Sequence, residues 1–174
     1  MKKALLNPVG MLLGGVTLGA VSRLLDIYTT NLGNIFSQMA IWILLGTLIA
    51  IHSDSPKSAM ANILPFCLGM LATYYAVAVL TKGVYGKWFI IGWTVFALCS
   101  PLLAFFTWWT KERGVVPKLI GAGIVLVSVL SSVVLFDGFR VYDVVIDGLL
   151  VYVLFFQRIE RGIRSKKEQK PGRN

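Results

Sequence analysis

The stretch Trp88–Trp108, WFIIGWTVFALCSPLLAFFTW, decides the class of this chain. It contains no charged residue, and Lys87 and Lys111 stand just beyond its two ends. A helix needs about 20 apolar residues to cross the hydrocarbon core of a bilayer, and this run has that length. Trp88 at one end, and Trp108 with Trp109 at the other, fit interfacial anchors, where an indole ring sits at headgroup level. Pro101 lies inside the run and predicts a kink, because proline removes a backbone donor and crowds the preceding turn.

Working outward, five more runs share this character: Pro8 to about Ile27, about Ile35 to Ile51, about Ser58 to Leu80 with Pro65 inside it, about Lys118 to Phe136, and Val141 to Phe156. The last is the shortest and includes Asp143 and Asp147. The chain of 174 residues is 56% hydrophobic and 14% charged, with mean hydropathy +0.74. A soluble domain of this size has too little interior to hide so much apolar surface. A bilayer removes the limit by solvating the apolar faces. The reading is an all-α polytopic transmembrane bundle of six spans over residues 1–157, with a basic cytoplasmic tail over 158–174. The links are too short for a soluble domain. Met1-Lys2-Lys3 and the apolar run after it also resemble a signal peptide, with Ala20-Val21-Ser22 as a loose cleavage site. The glycines of that run, and the Arg23 and Asp26 that follow, favour a retained span.

Lys and Arg counts set the orientation. With the N-terminus inside, the cytoplasmic set is Lys2, Lys3, Lys57, Lys111, Arg113, Lys118 and seven residues of the tail; the outer set is Lys82, Lys87 and Arg140, with Arg23 inside the first span. Thirteen against three places both termini in the cytoplasm. The same distribution accounts for the net charge of +9 without nucleic acid as a partner. The tail, Arg158 to Asn174, reads as a short helical extension that frays and lies against anionic headgroups.

Catalytic and metal chemistry find little support. Cys67 and Cys99 both fall in apolar stretches and read as small buried residues. With His52 as the one histidine, neither a metal site nor a disulfide framework is expected, and no cofactor is called for. No GxSxG, HExxH or P-loop pattern occurs, and Asp143 and Asp147 share one helix where an aspartyl protease needs two. The expectation is a protein that is not an enzyme.

The polar residues gather in the outer half. Arg23 and Asp26 share a face of the first span, Asn34 and Gln38 open the second, Tyr74 and Tyr75 lie in the third, and Trp93 lies in the fourth with Trp88 at its edge. Asp137 and Arg140 flank the last outer turn, with Asp143 and Asp147 on successive turns below. In the inner half Asn62 is the clearest case. A charge deep in a helix bundle seeks a partner, so Arg23 is expected to reach Asp147, or Asp143, across the first and last spans. Read structurally, this is a salt bridge. Read functionally, Arg23, Asp26, Gln38, Tyr74, Tyr75, Trp93, Asp143 and Asp147 line an outward-opening pocket, since small-molecule sites combine aromatic walls with a few convergent polar groups. The two aspartates also raise proton coupling.

Small residues repeat on the first span as Gly10-xxx-Gly14 and Gly15-xxx-Gly19, and on the fifth at Gly121, Ala122, Gly123, Ser128, Ser131 and Ser132. They serve close packing within one bundle or docking onto a membrane partner subunit. In size, topology and first-helix composition the chain resembles the substrate-binding S components of energy-coupling-factor transporters. In that family a six-helix protein with both ends inside holds its ligand in an outward-facing pocket and docks through small residues of its first helix, here Gly10, Gly14, Gly15 and Gly19. The alanine-rich spacing usual there is absent. The chain is also similar to the small uncharacterised polytopic membrane proteins of Gram-positive bacteria. Both likenesses imply a multi-pass protein of the bacterial inner membrane; the first implies the small-molecule-binding component of a transporter, and to the second no activity is assigned. The alternative is an accessory or structural subunit without a ligand of its own.

Overall fold

The computed structural model describes residues 6–83, 86–135, 138 and 140–159. Every regular element among them is helical: α1 (Pro8–Tyr28), α2 (Thr30–Ser37), α3 (Met39–His52), α4 (Pro56–Leu80), α5 (Lys87–Trp109), α6 (Val115–Leu135) and α7 (Val141–Val151), which continues as a π-helical turn, Tyr152–Phe156. α1, α4, α5 and α6 are each long and apolar enough to cross a membrane, and α2 with α3 adds a fifth span if the bent pair counts as one. Such a set of apolar helices points to a membrane protein.

Helix ends follow local chemistry. Asn7 caps α1 by accepting from the Gly10 N–H (2.7 Å), with Pro8 at the first position, where a missing N–H costs nothing. Ser55 does the same for α4 at Ser58 (3.1 Å). Pro101 sits within α5; it leaves the Ala97 carbonyl without its helical donor, and the Ser100 hydroxyl supplies one at 2.7 Å.

α1 lies closest against α4, and α4 packs on α5. α3 is the central element, touching α4, α5, α6 and α7, whereas α7 contacts chiefly α3 and α6. The α1–α4 contact is backbone on backbone. A Cβ at Gly15 would fall 2.1 Å from the Phe66 carbonyl oxygen, and one at Gly19 2.2 Å from that of Met70. The Thr73 hydroxyl bridges the pair by donating to Val16 O (2.9 Å). Two of the four glycines expected to serve a partner subunit are therefore occupied within the chain. Gly14 is exposed, with nothing near a Cβ built on it.

The two ends of the bundle can be told apart by their hydrogen bonds. At one end the Asn62 amide donates to Ser53 Oγ (3.2 Å) and Leu6 O (3.4 Å), and the Trp108 indole donates to Ser53 O (2.9 Å). The Lys111 ammonium donates to the carbonyls of Val153, Leu154 and Gln157, a cation closing a helix C-terminus. Gln157 also meets His52 Nε2 (3.5 Å). Leu6 and Gln157 thus share an end. Trp108 is only 9% exposed; it is a buried donor and not the interfacial anchor its position suggested, whereas Trp88 (84%) and Trp109 (42%) face outward. Cys67 is buried as expected, but Cys99 is exposed on α5. Asp137 and the tail beyond Ile159 lie outside the described residues.

Candidate functional site

The second span, expected from about Ile35 to Ile51, is two helices. α2 and α3 meet at 61°, and Gln38 between them is extended (φ −95°, ψ 156°). Breaking a helix frees backbone groups that lipid cannot satisfy. Here the Trp42 indole N–H donates to Phe36 O (2.9 Å), and its ring packs edge-on against Phe36 with centroids 6.0 Å apart. Side chains at the break then point to opposite sides. Ser37 turns toward α1 and Gln38 toward α7.

On the Ser37 side, Asp26 is the hub. It forms an ion pair with Arg23 one turn earlier on the same helix. It also accepts from the Tyr74 hydroxyl (3.3 Å) and the Ser37 hydroxyl (3.4 Å). The Arg23 guanidinium lies 5.8 Å from the Tyr74 ring centroid, within cation–π range. Beside this cluster, α4, α5 and the α2–α3 break enclose a cavity of about 390 Å³. Its wall is aromatic: Phe36 and Trp42 from the break, Tyr74 and Tyr75 from α4, Phe89 and Trp93 from α5. The Trp93 ring is held edge-on by Phe96 (5.9 Å), and its N–H makes no hydrogen bond among the described residues. That donor and the Ser37, Tyr74 and Tyr75 hydroxyls are the polar side-chain groups of the lining. Cavities of about 300–1,000 Å³ with such walls suit small molecules.

On the Gln38 side, Asp143 caps α7 by accepting from the Arg140 N–H (2.8 Å). Oriented to satisfy both ends, the Gln38 amide donates its NH₂ to Asp143 and accepts from Arg140 Nη1 and the Tyr142 hydroxyl, each at 3.2 Å. Asp147, one turn deeper, accepts from the Ser128 hydroxyl (2.6 Å), and its second oxygen has no hydrogen-bond partner among the described residues. Ser131 and Ser132 line the same buried face of α6. Among the described residues, no three His, Cys, Asp or Glu side chains come together to hold a metal ion.

The eight residues singled out from sequence therefore divide in two. Arg23, Asp26, Tyr74, Tyr75 and Trp93 lie at or behind the cavity, whereas Gln38, Asp143 and Asp147 lie across the break from it. The expected contact between Arg23 and Asp147 or Asp143 is not made. α1 packs against α4 and α2 while α7 packs against α3 and α6, and Arg23 finds its counter-charge on its own helix. Phe36, Ser37, Trp42, Phe89 and Tyr142 were not anticipated. The adjacent polar pair Ser37-Gln38 was the available signal, since two such residues seldom interrupt an apolar span without a tertiary partner.

Comparison with curated proteins and with solved structures finds no match. A family model does match, over residues 1–158. The chain belongs to that family, a family of unknown function (DUF6518).

Proposed function

We propose that this protein is a six-span component of the bacterial inner membrane that holds a small, ring-bearing molecule in an outward-facing aromatic cavity, as the binding component of a transporter. The cavity walled by Phe36, Trp42, Tyr74, Tyr75, Phe89 and Trp93 carries the reading. Six rings offer stacking faces, and the Trp93 N–H and three hydroxyls offer hydrogen bonds, a combination that selects a flat molecule with polar edges. The sixth span is α7 with its π turn. Their eleven and five residues reach about 24 Å at about 1.5 Å per residue, short of the roughly 30 Å core; Lys111 at the far end supplies donors that lipid would not. The shared end of Leu6 and Gln157 supports an even number of crossings, and the basic residues of that end support a cytoplasmic side.

Native mass spectrometry of protein extracted in mild detergent tests the reading. We expect a retained small molecule that Trp93→Leu releases while the protein stays folded. Wild-type protein that carries no small molecule would favour an accessory subunit instead. Gly14 of α1, exposed and with open space around it, remains the position at which a membrane partner would dock.

A further inference from the structure

A second cavity, separate from the aromatic one, lies in the other half of the bundle. It is a crevice of about 360 Å³ between α5 and α6, floored by α3 and α4. Phe96, Leu103, Gly123, Ile124 and Val127 line it, with Gly46 below. α5 and α6 are joined by a short loop yet pack only lightly on each other, and the crevice is the space this leaves. Two of its polar side chains are spent on local helix bonds, Ser100 donating to Ala97 O and Thr107 to Leu103 O, and Thr47 is the other hydroxyl on an otherwise apolar lining.

We propose that this crevice holds one acyl chain of an anionic phospholipid. Length is the first argument. Along α5 the lining runs from Phe96 to Thr107, about 16 Å at about 1.5 Å per residue, close to the roughly 15 Å hydrocarbon depth of one leaflet. Charge is the second. The crevice ends one turn below the loop carrying Arg113, which is exposed and has no hydrogen-bond or ion-pair partner among the described residues. Lys57, Lys118 and Arg158 are exposed at the same end, against the exposed acids Asp54 and Glu112. A basic rim over an apolar slot between membrane helices suits a phosphate headgroup with its chain below.

Gly123 makes the idea testable, because a side chain built there meets nothing within 4 Å and enters the crevice. Gly123→Leu should fill the slot without strain. Protein purified from native membranes in mild detergent would be analysed for bound phospholipid by native mass spectrometry, then challenged with phosphatidylglycerol and phosphatidylcholine. We expect one retained phospholipid, about a fivefold preference for phosphatidylglycerol, loss of the lipid in Gly123→Leu, and loss of the preference alone in Arg113→Gln. The loop variant lies outside the helices and keeps the test readable if Gly123→Leu folds poorly. Lipid content unchanged by Gly123→Leu in folded protein would overturn the proposal. So would a wild-type dimer that Gly123→Leu dissociates, since a second copy would then be the occupant.

Discussion

Gly14 and Gly15 are neighbours in sequence and should respond oppositely to the same substitution. A methyl group on Gly15 would sit 2.1 Å from the Phe66 carbonyl oxygen, 2.9 Å from its carbon and 3.0 Å from its Cα. All three are backbone atoms of α4 and cannot rotate aside. Relief requires the two helices to part by about 1 Å, since ordinary Cβ contacts begin near 3.4 Å. That movement loosens the Thr73 bond to Val16 and the dispersion contacts of the whole α1–α4 seam. Overpacking costs about 1–3 kcal/mol, and a strained interhelical bond adds about 1 kcal/mol, so Gly15→Ala should destabilise by about 2–4 kcal/mol. At about 2–4 °C per kcal/mol for a chain of this size, melting falls by roughly 5–15 °C. Gly14→Ala meets nothing within 4 Å and gains about 0.5–1 kcal/mol by replacing a helical glycine. Thermal unfolding in detergent, followed by size-exclusion fluorescence, reads both. Equal shifts, or a larger loss at Gly14, would refute the packing described for α1 and α4.

Three more outcomes follow from named contacts. In double-mutant cycles on melting, Arg23→Leu with Asp26→Leu should couple by about 1–2 kcal/mol, whereas Arg23→Leu with Asp147→Leu should be additive; the reverse pattern would restore the cross-bundle ion pair. Lys82 closes α4 in the left-handed region at φ 50°, with its own N–H on Val79 O and that of Gly83 on Ala78 O, a Schellman arrangement that favours glycine. Lys82→Gly should raise stability by about 0.5–1 kcal/mol, and a loss on melting would count against that turn. Trp42→Phe keeps a ring beside Phe36 but removes the donor to its carbonyl, so a loss of about 1–3 kcal/mol is expected; an unchanged melting point would mean that the break does not need the indole.

The apolar runs were legible because charges and prolines bound them, and α1, α4, α5 and α6 begin and end close to where those marks fall. The break at Gln38 was not, because no glycine or proline announces it and the polar pair Ser37-Gln38 marks a tertiary partner without saying that the helix stops there. It exists through tertiary contacts: an indole four residues on, a carboxylate on α1 and another on α7. The Arg23 expectation was right that a membrane arginine needs a partner, and failed by looking across the bundle when Asp26, on the same face of its own helix, was nearer. Tyr74, Tyr75 and Trp93 could be singled out since polar-edged rings stand out in a span. Phe36 and Phe89 could not, since a phenylalanine facing a cavity and one facing lipid read alike until the packing is known.

The claim that matters most is that the aromatic cavity opens to the outside of the membrane. Replacing Cys67 and Cys99 by serine and introducing Tyr75→Cys puts a single thiol in the cavity wall, to be probed with a membrane-impermeant maleimide in intact cells. Labelling is predicted without permeabilisation, and none of a Lys57→Cys thiol, exposed at the opposite end of α4, until the cells are opened. Modification of Tyr75→Cys only after the cells are opened would contradict it.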